Sequence, residues 1–124
     1  MKITRFEDVI AWQKAKVLAA EIRKEFAALP DWSFKDQIFR ASLSTMNNIA
    51  EGFDRGTDKE LRHFLHTARG SNAEVRSMLI SAEDFGYANN SKISELIKMS
   101  EEVSKLISGF IRSLTNDYRL STID

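Results

Sequence analysis

The segment 48–71 constrains the fold most, because a helix end, a turn and a helix start follow one another within it. Its first part, 48–53, ends a helical pattern, and its last part, 64–71, lies inside the next one. Gly70 sits beside Arg69 in that second pattern. Glycine within a helix costs about 1 kcal/mol relative to alanine, so we expect a structural reason for it. The segment predicts two consecutive helices joined by a tight turn.

Three capping boxes predict helix starts, since each places a hydroxyl side chain three residues before a carboxylate. They are Thr4-x-x-Glu7, Ser33-x-x-Asp36 and Thr57-x-x-Glu60. Proline or glycine marks the helix ends, at Pro30, at Gly52 or Gly56, and at Gly86, and 89–91 (Asn-Asn-Ser) opens a fourth helix. We predict helices over about 5–29, 34–53, 58–86 and 91–114, and we expect residues 117–124 to fray.

Each predicted helix carries an apolar stripe at helical spacing, which is typical of a helix that packs on its neighbours. Short linkers favour antiparallel packing of consecutive helices. The chain of 124 residues is therefore predicted to form a single all-α domain, an up-down antiparallel four-helix bundle. The expected core residues are Ala11, Ala15, Leu18, Ile22, Phe26, Leu29, Ile38, Ala41, Thr45, Ile49, Phe53, Leu61, Leu65, Ala68, Val75, Leu79, Ala82, Ile93, Ile97, Ile107, Ile111 and Leu114.

The first and fourth predicted helices have more apolar residues than one core stripe needs. On the fourth, the surplus forms a second seam of Leu96, Met99, Val103, Leu106 and Phe110. An extended exposed apolar strip usually marks an interface, so we expect a cyclic homo-oligomer. The alternative is that these residues are scattered surface hydrophobes, or that the fourth helix is deeply buried. The expected interface residues are Phe6, Ile10, Val17, Leu106 and Phe110.

Composition excludes several classes of protein. The chain has no cysteine, and its 18 basic and 18 acidic residues give a net charge of +0. Disulfides and thiolate metal sites are therefore absent, and any nucleic-acid role must rest on local charge. No long apolar run or signal peptide is present, so we expect a cytoplasmic protein with no membrane partner.

Motifs for catalysis are also lacking. We find no Gly-x-Ser-x-Gly, Walker or Rossmann pattern, so we expect no enzymatic activity and no cofactor. A di-iron bundle needs two Glu-x-x-His motifs. Here Glu60-x-x-His63 stands alone, and His66 is the only other histidine. We therefore expect no metal.

A line of basic residues along the third predicted helix is the strongest functional candidate. Spacings of three, four and seven residues place these side chains on one flank, where they would form a ridge that follows a phosphate backbone. The alternatives are a solvated helix face, or a seam against the acidic flank of another subunit. The ridge consists of Arg55, Lys59, Arg62, His66, Arg69 and Arg76.

The motif residues Asn48, Glu51, Gly52 and Gly70 also have a structural interpretation. Gly70 would let a neighbouring helix approach closely or permit a small bend. Arg69 would pair with Glu51, and a partly buried pair of this kind fixes geometry more than it adds stability. Asn48 would bond a helix end or a neighbouring chain.

The chain resembles the four-helix-bundle family first associated with intervening sequences in bacterial 23S rRNA genes. The distant relatives of that family include the accessory variability determinant (Avd) proteins of diversity-generating retroelements. The resemblance covers roughly residues 5–115, with two departures: Phe39-Arg40 replaces an Arg-Arg pair, and Thr45-Met46 replaces Ile-Pro. It rests on Trp12-Gln13-Lys14-Ala15, the motif 48–53, the stretch 64–71, and the shorter matches at 6–8, 36–38 and 86–87.

The resemblance implies a bundle that assembles into a ring, commonly a homopentamer, without known enzymatic activity. It favours a nucleic-acid-associated role, with rRNA or as a retroelement accessory. RNA or DNA, a reverse transcriptase or another protein would then be the partner. The other function class that stays open is a protein-interaction scaffold that binds no nucleic acid.

Overall fold

The computed structural model describes the backbone of residues 2–123 and the side chains of residues 2–114. A short 3-10 turn at Phe6–Asp8 precedes four helices, and no strand occurs in this described backbone. Helix α1 packs against α2 and α4, and α3 packs against the same two, so the four helices surround one core. The helices are α1 Ile10–Phe26, α2 Trp32–Asp54, α3 Asp58–Phe85 and α4 Asn90–Ile123.

Cross-helix contacts show that consecutive helices run in opposite directions. Gln37 of α2 contacts Glu74 of α3. Ser44, further along α2, contacts Ser71, which comes earlier in α3. At one end of the bundle, the hydroxyl of Tyr87 donates to a carboxylate oxygen of Asp31 at 2.6 Å, which ties the α3–α4 turn to the α1–α2 turn. The prediction of an all-helical fold with four antiparallel helices is confirmed.

Only one of the three predicted capping boxes caps a helix. The hydroxyl of Thr57 accepts from a backbone N–H three residues on, at 3.2 Å, and begins α3. The box at Ser33 is wrong, because the carboxylate of Asp31 caps α2 instead, at 3.1 Å. The box at Thr4 is also wrong. The chain there forms the 3-10 turn, and α1 starts at Ile10 without a side-chain cap.

Two helix ends differ from prediction, those of α1 and α4, whereas α2 ends as predicted at the second of its two candidate glycines. Helix α1 ends at Phe26 rather than near 29. Helix α2 continues through Gly52 to Asp54, and the left-handed Gly56 (φ +89°) follows it. Gly86 ends α3 with φ +72°, as predicted. Helix α4 continues to Ile123 instead of ending near 114. The side chains of the predicted frayed tail, 117–124, lie outside the described residues.

The predicted core is buried, apart from three residues that are half-buried: Leu29, Phe53 and Ile97. Leu96 and Val103 do not belong to a spare seam, because they are only 0% and 1% exposed. Helix α4 contacts both α1 and α3, so it buries a wider face than one stripe.

Close approach of α2 and α3 depends on Gly52, not on Gly70. A Cβ at Gly52 would lie 2.6 Å from the Cβ of Phe64, whereas a Cβ at Gly70 would meet nothing within 4 Å. The predicted close approach at Gly70 is therefore wrong. Asn48 bonds its own helix, since its amide donates to the carbonyl of Ser44 at 2.8 Å.

Candidate nucleic-acid interface

Two polar contacts set how α3 and α4 lie against each other. The side-chain amide of Asn72, 1% exposed, donates to the carbonyl of Ser100 at 2.8 Å. The hydroxyl of Ser100 in turn donates to the amide oxygen of Asn72 at 3.3 Å. Further along, the guanidinium of Arg69 donates to the hydroxyl of Ser108 at 3.1 Å. Because an unpaired buried amide is costly, the contact between Asn72 and Ser100 favours one register of the two helices.

A groove of about 280 Å³ runs between α3 and α4 beside these contacts. We call it the basic groove, because Arg76 from α3 faces Lys105 and Arg112 from α4 across it, with Glu101 as the one acidic residue in its lining. Within the described side chains, no carboxylate lies at ion-pair distance from any of these three cations. Its lining residues are Arg76, Glu101, Ser104, Lys105, Ser108 and Arg112.

The side chains of the predicted ridge along α3 differ in their exposure to solvent. Lys59, His66 and Arg76 are exposed, whereas Arg62 and Arg69 are half-buried. Arg69 lies against α4 and also donates to Nδ1 of His66 at 3.0 Å. The structure therefore brings the later part of the ridge beside α4, where Arg76 enters the basic groove.

Arg55 does not add an unpaired cation to the predicted ridge. Its guanidinium pairs with Glu51 at 2.9 Å and with Glu60 at 3.7 Å. The predicted pair of Arg69 with Glu51 is wrong, because Arg69 faces α4 while Glu51 binds Arg55, which directly follows α2.

On the other side of α4, an apolar groove of about 260 Å³ faces α1. Three of the five predicted interface residues, Ile10, Leu106 and Phe110, meet there. Val17 is 51% exposed on the same helix as Ile10. Phe6 lies elsewhere, since its ring packs against Trp12 at 5.1 Å between centroids. The apolar groove is lined by Ile3, Val9, Ile10, Ala11, Leu106, Phe110 and Ser113.

Two ion pairs join α1 and α4. Lys14 lies 3.4 Å from Glu102, and Lys92 lies 3.3 Å from Glu21. The hydrogen bond from Lys92 lowers the pKa of Glu21, and the same bond raises the pKa of Lys92. This side therefore presents apolar groups and neutralised charges, whereas the α3–α4 side presents unpaired cations.

Neither a metal-binding cluster nor a membrane-spanning helix has a candidate among the described residues. No cluster of three or more His, Asp or Glu side chains there is placed to hold a metal ion. No helix in that part of the chain combines the length and apolar character that crossing a membrane requires.

A family model described as 23S rRNA-intervening sequence protein matches residues 7–109. This match covers α1, α2, α3 and more than half of α4. The chain belongs to the 23S rRNA-intervening sequence protein family. The resemblance noted from the sequence motifs is thereby confirmed. A search of curated proteins found no match.

Sequence reasoning missed two cations of the basic groove in this 23S rRNA-intervening sequence protein. Lys105 and Arg112 are seven residues apart, so they lie on one side of α4, and that spacing was a visible signal. The sequence does not show which neighbouring helix that side faces. Lys105 falls within the matched segment, whereas Arg112 follows it.

Proposed function

We propose that this protein is a cytoplasmic, non-catalytic RNA-associated protein whose basic groove binds the phosphate backbone of a structured RNA. The observation that supports this is the convergence of Arg76, Lys105 and Arg112 on one groove without carboxylate partners among the described residues. The chain as a whole has a net charge of +0, so this local concentration of charge stands out. Cations of this kind supply sequence-independent affinity by releasing counterions from phosphates.

The lining of the groove also suits phosphate oxygens. Ser104 and Ser108 add hydroxyl donors beside the three cations. Hydroxyl and guanidinium groups are the usual donors to phosphates, and such contacts position a nucleic acid without reading its bases. The family description refers to 23S rRNA, which favours RNA over DNA as the ligand.

We further propose that the protein is a closed homo-oligomer, with the pentamer favoured by the family resemblance. Ile10, 57% exposed, lines the apolar groove with Leu106 and Phe110, and a second copy would remove this surface from water. Repetition of the basic groove around an axis would let one RNA contact several subunits, which raises the overall affinity.

Fluorescence anisotropy with a labelled structured RNA, at about 50 and 200 mM salt, tests the RNA proposal. We expect affinity to fall steeply with salt, and the double variant Arg76→Glu with Lys105→Glu to lose at least about tenfold. The matched control is Lys24→Glu with Arg40→Glu, which changes net charge equally at two exposed cations that pair within their own helices. Equal losses in both double variants, or no binding at low salt, would refute the basic groove as the site.

The apolar groove supports one alternative, a scaffold that binds a protein partner such as a reverse transcriptase. Ile3, 45% exposed, and Ile10 would provide its contacts. Binding of that kind would change little between the two salt concentrations, because apolar contacts release no counterions.

A further inference from the structure

A separate cavity of about 630 Å³ lies at the α2–α3 turn, away from both grooves. We call it the turn cavity. The residue that caps the C-terminus of α2 contributes an arginine, and the first turns of α3 contribute a lysine, a histidine and a phenylalanine. Its lining residues are Arg55, Thr57, Lys59, Glu60, His63 and Phe64.

Three contacts hold Arg55 at this cavity. Glu51 and Glu60 bind its guanidinium nitrogens, and its guanidinium carbon lies 5.0 Å from the centroid of the Phe64 ring. The two carboxylates balance its charge, so it is a poor additional phosphate ligand. A guanidinium is also planar, and it stacks on flat π-systems. The Arg55 side chain lies against Phe64 and is still 48% exposed, so part of its guanidinium is accessible to a second flat group.

We propose that the turn cavity binds an unpaired nucleobase of the RNA whose backbone occupies the basic groove; this inference rests on the proposed function. Unstacked bases in RNA loops and bulges stack on aromatic rings and on guanidinium planes. A base inside a duplex has both faces covered by its neighbours, so only an unpaired base fits. Arg55 supplies the stacking plane, with exposed His63 beside it.

The polar groups around the cavity suit the edges of a base. The carboxylate of Glu60 receives Arg55 on one oxygen and the Thr57 hydroxyl on the other, and it keeps further acceptor sites of the kind that an exocyclic amino group requires. Lys59 is exposed at the same place and, among the described side chains, has no ion-pair partner, so it suits the adjacent phosphate. Lys59 and Arg76 lie 17 positions apart on α3, about 26 Å along the helix, so one RNA would have to span that distance.

The test compares a hairpin RNA that carries a single 2-aminopurine bulge with the same hairpin fully paired. Anisotropy gives the two affinities, and quenching of 2-aminopurine fluorescence reports stacking of the bulged base. We expect the bulged hairpin to bind at least about fivefold tighter, at the lower end of the effect of one stacked base. We expect Arg55→Lys, which keeps the positive charge but not the plane, and His63→Ala to reduce that preference and the quenching.

Arg40→Lys is the matched control, because Arg40 also pairs with a carboxylate of its own helix at 2.9 Å but lies outside the turn cavity. Unchanged affinity of Arg55→Lys for the paired hairpin would show that this variant folds and keeps its basic groove.

Equal binding of both hairpins by the unaltered protein would overturn the turn-cavity inference while leaving the proposed function intact. An equal loss of preference in Arg40→Lys and Arg55→Lys would do the same. No binding of either hairpin at low salt would remove the proposed function itself, and this inference with it.

Discussion

The side of α4 that faces α3 and the side that faces α1 differ in their interhelical contacts and in the groups that they expose. Toward α3, a buried contact between Asn72 and Ser100 sets the register, and the surface beside it carries unpaired cations. Toward α1, the surface carries exposed ion pairs such as Lys14–Glu102 next to an apolar groove. The same helix thus presents charge on one side and apolar surface on the other.

The difference shows how a neutral chain separates a charged surface from an apolar one. Beside the buried neutral contact of Asn72 with Ser100, the cations of the basic groove have no carboxylate partner among the described side chains and stay available for a ligand. Where charged side chains pair across the helices, they neutralise each other, and the apolar groups become the main feature that a partner can recognise. Exposed ion pairs contribute little stability, whereas breaking a buried amide contact is costly. Four predictions test this contrast.

The largest expected effect concerns assembly. Leu106→Glu places a charge in the apolar groove, where an interface would have to bury it, so we expect light scattering to give the monomer mass of 14.2 kDa. Ser104→Glu, on the other side of α4, should keep the assembled mass and weaken RNA binding instead. An assembled Leu106→Glu protein would break the contrast, as would a monomeric unaltered protein at micromolar concentration.

The second effect concerns stability. Asn72→Ala leaves the buried carbonyl of Ser100 without its donor and the Ser100 hydroxyl without its side-chain acceptor. We therefore expect a loss of about 2 kcal/mol in the free energy of unfolding, measured with urea. Lys14→Ala removes an exposed pair across the other side and should cost less than about 1 kcal/mol. If Lys14→Ala cost more free energy of unfolding than Asn72→Ala, the main stabilising contact would lie on the α1 side of α4 and not on the α3 side.

Two adjacent glutamates provide the third test, because Glu101 lines the basic groove and Glu102 pairs with Lys14 on the other side. Glu101→Gln removes the one acidic residue from that lining. We expect its RNA affinity to rise about two- to fivefold at low salt, with a smaller gain at high salt. Glu102→Gln makes the same change of net charge and should leave the affinity unchanged. Identical gains in both variants would mean that net charge, not the groove, determines binding.

The smallest effect depends on pH and belongs to the α1–α4 side. Lys92 lowers the pKa of Glu21 below its ordinary 4.5. In the pH window between that ordinary value and the lowered pKa, the unfolded chain therefore binds more protons than the folded one. The stability contribution of this pair is present above that window and is lost as the pH falls through the lowered pKa. The melting temperature of Glu21→Gln should therefore fall less with decreasing pH than that of the unaltered protein. An equal fall in both proteins would exclude this ion pair as the source of the pH dependence.

Some parts of the fold were readable from local sequence and others were not. The Thr57 cap and the Gly86 end depend on residues within one turn of chain, and both were predicted correctly. The boxes at Thr4 and Ser33 have the same local pattern but fail. At the start of α2, the carboxylate of Asp31 takes the capping position, and Tyr87 from a distant turn also binds it. A capping pattern covers only neighbouring residues, so it gives no information about a partner such as Tyr87.

Pairing across helices was the least predictable feature. Arg69 was predicted to pair with Glu51, yet Arg69 bonds Ser108 on α4, and Glu51 pairs with Arg55, four residues later at the end of α2. Both arrangements are compatible with the same helical periodicity. The choice between them depends on how each helix is rotated about its axis when the shared core is packed.

The sequence by itself determined the number of helices, most of the core residues and the family, because apolar periodicity and short motifs are properties of single segments. Only the tertiary structure decided that Arg76 shares a groove with Lys105 and Arg112, that Arg55 is neutralised by two carboxylates, and that Leu96 is buried. These facts depend on the rotation and register of each helix relative to its neighbours. That arrangement is set jointly by all four packed faces and is not encoded in any one of them.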